Sequence, residues 1–251
     1  MRSFITTILL AVILSVALVA QDSLVIPITS FNPAEFNENA DNNKWQRLTL
    51  PRKNCTEYTL VTDGDKPYIK AVSNNSASGW KYLIDIDPKE YPIIEWQWKI
   101  DGVLEKGDMT KKDGDDYAAR IYITYEYSRK DLPFGERIKY GTMKTFTSFD
   151  IPLRSMNYVW ANKAKVGRVQ ENVFTNWVHM VATESGNEKA GTWVTSTANV
   201  YDSYKKAFEE EPQNITGVAI MTDSDNSKGS ATAYYGNIVF KKAPKKDTEK
   251  K

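Results

Sequence analysis

The sequence predicts an all-β fold, a two-sheet antiparallel sandwich with one short helix around residues 200–210. Three observations favour this class. Many short segments alternate apolar with polar residues, turn-forming residues separate these segments, and a single segment has the apolar spacing of an amphipathic helix. Hydrophobic residues make up 41% of the chain and aromatic residues 12%, which is enough material for the core of one large domain.

The clearest strand covers residues 93–100, where isoleucine or tryptophan stands at every even position and mainly polar residues stand between them. We therefore expect Trp96 and Trp98 to lie in the core, with an exposed stacking surface as the alternative. Further strands are predicted at residues 24–28, 56–62, 68–72, 80–86, 117–127, 173–183, 192–197, 217–222 and 231–240.

The helix at residues 200–210 is predicted from aromatic residues at helical spacing, and Pro212 follows its end. Asn199 or Asp202 would cap its N-terminus. Residues 128–157 form a long excursion whose pattern leaves both a strand and a short helix open.

The N-terminus predicts export. A positively charged start at Arg2 precedes the apolar residues 4–20, which is the pattern of a signal peptide at residues 1–20, cleaved after Ala17 or Ala20. The alternative is an uncleaved membrane anchor, but the run falls slightly short of the roughly 20 apolar residues that a spanning helix needs. No second segment approaches that length, so we expect a periplasmic or secreted protein without a stable membrane span after signal removal.

The rest of the chain reads as one sandwich domain at residues 21–240, followed by a lysine-rich, disordered tail at residues 241–251. The tail has six lysines against two acidic residues, whereas the domain that precedes it has no basic run, and nucleic acid is therefore not an expected partner. A single cysteine, Cys55, excludes an intrachain disulfide, and a single histidine, His179, leaves triads and zinc-ligand sets without their usual parts.

Two acidic turns each lead into a strand, with Asp115 and Asp116 in the first and Asp223 and Asp225 in the second. Crowded carboxylates repel one another unless an arginine, a metal or water balances them. We expect the two turns to meet at one edge of the sandwich and to form one electrostatic unit with Arg120.

The second turn is also a candidate calcium site, with Asp223, Asp225 and Asn226 as ligands. Tyr234 stands where the twelfth-position glutamate of an EF-hand would be, so only a sandwich-edge site is in question. An Asx-type turn without metal is the alternative.

The strand after the first turn carries candidate ligand-binding residues. Arg120 and Tyr122 share the face opposite to the predicted core residues Ala119 and Ile121. The planar guanidinium of arginine suits a sugar or a carboxylate, and structural pairing with the acidic turns is the alternative.

Three further residues are candidates for sugar contact. In the last strand, Tyr234 is expected to point inward with Ile238, so that Tyr235 and Asn237 face solvent. Trp160 lies in a loop-like sequence and is the expected exposed aromatic residue. A plain solvated sheet face is the alternative for Tyr235 and Asn237.

The chain resembles the bacterial family known as domain of unknown function 3047. The matching pieces are Trp96-Gln97-Trp98-Lys99, Asp115-Asp116-Tyr117-Ala118-Ala119-Arg120-Ile121-Tyr122, Asn157-Tyr158-Val159-Trp160-Ala161-Asn162, Gly191-Thr192-Trp193-Val194, Val200-Tyr201-Asp202-Ser203-Tyr204 with Ala207-Phe208, Ala219-Ile220-Met221-Thr222-Asp223-Ser224-Asp225-Asn226 and Ala233-Tyr234-Tyr235-Gly236-Asn237-Ile238. Residues 128–156 are longer than the family's connection, and serines replace threonines at 224 and 227.

The resemblance implies an exported protein with no established activity. The family's sequence pattern is also distantly similar to jelly-roll modules of the galactose-binding type. Many of these modules hold carbohydrate and a structural calcium, but a shared fold does not fix function.

Together these features predict an exported cell-envelope protein that binds carbohydrate or a cell-envelope polymer without catalysis. One alternative is a polysaccharide-acting enzyme, either a carboxylate-pair hydrolase or a tyrosine/arginine lyase, which would use Asp116, Asp223 or Asp225 with Tyr235 or Arg120. The other is a structural or protein-binding envelope component.

Overall fold

The computed structural model describes residues 23–33, 44–144 and 152–243. The predicted signal peptide with its two cleavage sites, residues 145–151 of the excursion and residues 244–251 of the tail lie outside these ranges. Within the ranges, no helix has the length and apolarity that crossing a membrane requires.

Thirteen strands form two sheets in the described part of the chain. Sheet 1 contains β1 (Ser23–Ile26), β3 (Glu57–Asp63), β4 (Lys66–Asn74), β6 (Ile93–Ile100), β11 (Val194–Asn199) and β13 (Ser230–Lys241). Sheet 2 contains β2 (Trp45–Thr49), β5 (Ala77–Ile86), β7 (Arg120–Tyr125), β8 (Ser155–Ala161), β9 (Val169–Asn172), β10 (Thr175–Ser185) and β12 (Ile215–Asp223).

The strand order in sheet 1 is β11-β6-β13-β4-β3, with β1 also paired to β13, and in sheet 2 it is β2-β5-β12-β7-β8-β10-β9. All strand pairings described are antiparallel except β8 with β10, which is parallel. The prediction of an all-β, two-sheet sandwich is confirmed.

Among the residues that the structure describes, two α-helices accompany the sheets, α1 (Phe134–Lys144) and α2 (Val200–Phe208). Short 3-10 turns lie at Ile28–Ser30, Lys112–Gly114 and Arg129–Asp131. Helix α2 confirms the helix predicted at residues 200–210. Of the two predicted caps, Asn199 is the one observed, because its side chain accepts a hydrogen bond from Asp202 N (2.9 Å). The helix ends at Glu209 in the left-handed conformation, with φ 56°. Helix α1 carries two glycines, which lower helix propensity and hide its pattern in the sequence.

The core lies between the two sheets and is rich in aromatic side chains. Trp96 and Trp98 are fully buried, which confirms their predicted position, and their rings meet edge to face at 5.3 Å. From sheet 2, Ala119, Ile121 and the other odd-numbered positions of the β7 region point into the same core. The even-numbered positions of β7 therefore face away from sheet 1.

The outer face of sheet 2 is covered over part of its area. A second buried cluster consists of Met109, Tyr117, Val159, Ala161, Met180 and Ala182 and lies over β8 and β10. Because β8 is an interior strand with both faces covered, all seven of its residues are buried and none of the alternation that marks a half-exposed strand remains. Strand β8 was consequently absent from the sequence-based assignment, as were β2 and β9.

Candidate functional site

A cavity of about 470 Å³ lies on the uncovered part of the outer face of sheet 2. This volume is within the range of ligand sites in proteins. The residues that line it are Leu48, Leu50, Lys53, Lys81, Asp115, Arg120, Tyr122, Thr124, Pro152, Asn172, Phe174, Val178, Ala219, Met221, Asp223, Asp225 and Asn226. We call it the sheet 2 cavity.

A row of residues across neighbouring strands forms the floor of the sheet 2 cavity. Ala219 on β12 is paired with Lys81 on β5 and with Tyr122 on β7, and Tyr122 is paired in turn with Asn157 on β8. Since paired residues project from the same face, the methyl group of Ala219 leaves a depression between two long side chains. The small side chain in the middle of the row gives the cavity its depth.

Arg120 closes the acidic end of the cavity and is 2% exposed. Its Nε donates to Asp223 Oδ1 (2.8 Å), and its Nη2 forms an ion pair with the same carboxylate. Nη2 also donates to the carbonyl oxygen of Asp115 (2.8 Å), and Nη1 donates to the hydroxyl of Tyr122 (3.2 Å) and lies 3.6 Å from Asp115 Oδ1. Arg120 therefore holds both acidic turns and Tyr122 in place, and its own donors are largely used in doing so.

Lys53 and two backbone amides also stabilise the carboxylates of the acidic turns. Lys53 forms an ion pair with Asp225. The carboxylate of Asp116 accepts hydrogen bonds from Asn226 N (3.2 Å) and Ser227 N (2.5 Å). The prediction that the two turns and Arg120 form one electrostatic unit is confirmed.

These contacts bear on the expected calcium site. One oxygen each of Asp116, Asp223 and Asp225 lie within 4.8 Å of one another, a grouping that a cation could bridge. However, both oxygens of Asp223 face the Arg120 guanidinium, Asp225 is paired with Lys53, and both oxygens of Asp116 accept amide hydrogens. A calcium ion would lie beside the buried Arg120 guanidinium and the Lys53 ammonium group, so the residues present do not fit calcium while these ion pairs persist.

The third predicted calcium ligand, Asn226, uses its amide nitrogen in a contact between the turns, whereas calcium would bind its amide oxygen. The side-chain Nδ2 of Asn226 donates to the carbonyl oxygen of Asp115 (3.3 Å), so that this amide connects the two turns.

Burial changes the proton affinity of two groups in the cavity. It raises the pKa of the Asp115 carboxyl above its ordinary value, although Arg120 and Asn172 act in the opposite direction. It also raises the pKa of Tyr122, against the opposing effect of Arg120. In the described part of the chain, Asp115 Oδ1 and both amide atoms of the fully buried Asn157 lack a hydrogen-bond partner. These unpaired atoms are enclosed by the protein and do not face the cavity opening.

Two of the residues predicted from the sequence line the cavity as ligand-binding candidates, namely Arg120 and Tyr122. The expectation that Trp160 is exposed is wrong. Trp160 is fully buried, its ring lies 5.6 Å from that of Trp98, and its Nε1 donates to the carbonyl oxygen of Gly186 (3.0 Å). The surrounding sequence looked like a loop because β8 has no exposed face.

The expected orientation of the tyrosines in β13 is also wrong. Between Tyr235 and Ile238 the pairing with β6 contains one extra residue, so both side chains face the core. A Cβ at Gly236 would lie 3.1 Å from Gln97 Cβ, which explains the glycine at this bulge. The hydroxyl of Tyr235 instead donates to the carbonyl oxygen of Met221 (2.6 Å) behind the cavity floor. Asn237 is exposed on sheet 1 and does not line the sheet 2 cavity.

With Tyr234 turned outward, sheet 1 carries an aromatic cluster on its outer face. The rings of Tyr68 and Trp193 are 5.6 Å apart, those of Tyr68 and Tyr234 are 5.8 Å apart, and Lys99 Nζ lies 4.1 Å from the centre of the Tyr234 ring. Trp193 remains 44% exposed. This sheet 1 aromatic cluster lies outside the sheet 2 cavity.

Sequence reasoning missed Lys53, Lys81, Asn172, Phe174 and Ala219. Lys53 lies in a short segment between strands, and Asn172 and Phe174 flank the turn from β9 to β10. Ala219 is one of two small residues in β12, the other being Gly217. None of these positions has a local sequence signal, because strand pairing brings them together over long separations.

Comparison with known proteins finds a match to one protein family. The family profile described as "Protein of unknown function (DUF3047)" matches residues 43–239. None of the curated proteins compared matches the chain.

Several solved structures are similar at low sequence identity. The glycoside hydrolase domain of Endo-D from Streptococcus pneumoniae R6 is 7% identical with a TM-score of 0.35, over 78% of this chain but only 21% of that one. A mutant of a family 29 carbohydrate binding module is 9% identical with a TM-score of 0.29, over 79% of this chain and 91% of that one. The xyloglucanase domain of NopAA from Sinorhizobium fredii is 7% identical with a TM-score of 0.36, over 80% and 97%. At these TM-scores the similarity says nothing about what this chain binds.

Proposed function

This chain belongs to the DUF3047 family, and we propose that it is an exported, non-catalytic module of the cell envelope that binds carbohydrate in the sheet 2 cavity. The proposal rests on a preformed cavity whose floor includes polar side chains of β7. On this floor, Arg120 donates a hydrogen bond to the Tyr122 hydroxyl and fixes its position. Specific ligand sites combine apolar walls with a few oriented polar groups in this way.

The polar groups of the floor suit hydroxyl groups. Tyr122 accepts a hydrogen bond from Arg120, which leaves its own hydroxyl hydrogen available to a ligand oxygen. Asp115 Oδ1 is enclosed by the protein and lies 3.6 Å from Arg120 Nη1, so this oxygen holds the guanidinium in place and does not meet the ligand. A hydroxyl that Arg120 holds in one position can engage a hydroxyl of a sugar ring.

The same contacts favour binding over catalysis. Asp223 and Asp116 are saturated by Arg120 and by backbone amides, so neither is available as a nucleophile or base. Burial raises the pKa of Tyr122, which makes its hydroxyl a poor proton acceptor near neutral pH. His179 is not among the described residues that line the cavity.

Filling the cavity tests the proposal. Ala219→Leu places a larger side chain in the depression between Lys81 and Tyr122 and should abolish binding on a glycan array. Thr232→Leu, on the outer face of β13 in sheet 1, is the matched control and should bind like the unaltered protein. Binding that survives Ala219→Leu would place the glycan elsewhere.

The polysaccharide-acting enzyme is retained as a second candidate because of Asp115. A buried carboxyl with a raised pKa in a cavity is the form of a general acid. A reducing-sugar assay on the same protein separates the two functions, since turnover that disappears in Asp115→Asn would establish the enzyme. If the protein neither binds on the glycan array nor releases reducing sugar, the structural or protein-binding alternative is favoured.

Export is the remaining part of the proposal, supported by the apolar run at residues 4–20. The intact mass of the protein recovered from the periplasm or medium should correspond to a chain that starts near Leu18 or Gln21. Recovery of the full-length chain in the membrane fraction would contradict cleavage and support an anchor.

A further inference from the structure

We infer that the sugar bound in the sheet 2 cavity carries an alkyl or acyl chain, so that the ligand is an amphiphilic glycoside; this inference rests on the proposed function. It follows from the distribution of apolar and polar surface within the cavity.

The side walls of the cavity are apolar. Leu48, Leu50 and Met221 contribute to the lining from the side of β2 and β12, and Phe174 and Val178 contribute from the side of β9 and β10. Phe174 is 48% exposed at the turn between β9 and β10. Most of the surface that faces the cavity is consequently hydrocarbon.

The polar groups of the cavity are mostly engaged with one another. Arg120 directs its donors to Asp223, Asp115 and Tyr122. Asn172 Nδ2 donates to Asp115 Oδ2 (3.0 Å), and its Oδ1 accepts from Phe174 N (2.9 Å). Hydrogen-bonding capacity for a ligand is therefore concentrated at the Tyr122 hydroxyl and is not spread around the walls.

An unsubstituted sugar matches this distribution poorly. Its ring carries hydroxyl groups on several sides, and those that meet Leu48, Leu50 or Val178 would lose water without gaining a partner, which costs free energy. A glycoside with one apolar substituent avoids this cost, because its sugar end can reach the Tyr122 hydroxyl while its chain covers the walls. The chain also gains from leaving water, in proportion to the apolar area that it buries.

A homologous series of n-alkyl β-glycosides measures this effect. We would titrate the full domain with methyl, butyl, hexyl and octyl β-glucosides, β-galactosides and β-maltosides by calorimetry, below the concentrations at which micelles form. Affinity should rise about 3- to 4-fold for each methylene group that enters the cavity, and should level off once the chain extends beyond it.

Two variants locate the effect. Phe174→Ala removes an exposed wall residue, so the fold should persist and the dependence of affinity on chain length should weaken. Trp193→Ala, which removes a similarly exposed aromatic residue from the sheet 1 aromatic cluster, is the matched control and should keep the full dependence. Sodium octanoate, which has the chain without the sugar, should bind at least 10-fold more weakly than the best octyl glycoside.

The possible results separate this inference from the proposed function. Methyl glycosides that bind in the cavity with no gain from longer chains would overturn the amphiphilic ligand and leave carbohydrate binding intact. A chain-length dependence that is equal in Phe174→Ala and Trp193→Ala, or octanoate binding as tight as that of the glycoside, would also overturn it. No binding of any glycoside would reject both.

Discussion

Arg120 should be the most costly charged residue of the domain to replace. Arg120→Met removes the cation that faces Asp223 and Asp115, which are themselves only 2% and 6% exposed. Breaking a buried ion pair by removing one partner costs about 3–5 kcal/mol, because the remaining charge is buried without compensation. Total stabilities of domains are about 5–15 kcal/mol, so the variant should still fold but unfold at much lower denaturant.

A second arginine provides the control. Arg154 donates to Glu210 (2.6 Å) and lies over the Tyr127 ring at 4.0 Å, but the Glu210 side chain is 34% exposed. Partly solvated pairs contribute about 0.2–1 kcal/mol and a cation–π contact about 0.5–1 kcal/mol, so Arg154→Met should cost about 1–2 kcal/mol.

The measurement is urea unfolding followed by tryptophan fluorescence, with midpoints compared at constant slope. The double variant Arg120→Met/Asp223→Asn should recover part of the loss, since the two residues touch and their effects should couple by about 0.5–3 kcal/mol. A loss in Arg120→Met no larger than that in Arg154→Met would refute the idea that Arg120 neutralises the acidic turns.

Three further predictions follow from the same contacts. Thermal melts in calcium and in chelator should coincide, because Arg120 and Lys53 occupy the carboxylates; a rise in melting temperature that calcium causes and Asp223→Asn removes would restore the metal site. Trp98→Ala should destabilise the domain by about 3–5 kcal/mol through a cavity in the core, and an unchanged melting temperature would contradict its burial. Because burial raises the pKa of Asp115 above 3.8, ionisation of this group should lower stability as pH rises through the raised value. The unfolding free energy of Asp115→Asn minus that of the unaltered protein should therefore increase from pH 4 to pH 7. A difference that does not depend on pH would show that Asp115 keeps its ordinary pKa.

A strand was predictable from the sequence where apolar and polar residues alternate over a long run. The alternation at residues 93–100 identified β6 and placed Trp96 and Trp98 correctly in the core. It failed for β8, because interior position and the covering cluster bury both faces of that strand. Periodicity reports a difference between two faces, and β8 has none.

The acidic half of the site was predictable because charge repulsion is a local signal with a spatial consequence. Asp115 and Asp223 require compensation wherever they lie, and Arg120 opens the strand that follows the first acidic turn. The supply of a second cation by Lys53 was not predictable, since it depends on the path of the segment after β2. The orientation of Tyr235 depends on a single extra residue in β13. This residue exchanges the inward-facing and outward-facing positions that precede it, relative to those that follow it.

The uncovered part of sheet 2 is the strongest structural sign of a ligand. Over β8 and β10 the outer face is sealed by packed apolar side chains, whereas over β12 and β7 a small residue, Ala219, leaves a depression beside buried ion pairs. Buried ion pairs stabilise a fold little more than apolar packing of the same volume would, because desolvation offsets their attraction. Stability alone thus does not account for Arg120 and its carboxylates at this position. Their arrangement does fix Tyr122 and Asp115 at the edge of an apolar cavity, and this is what recognition of a partly polar ligand requires.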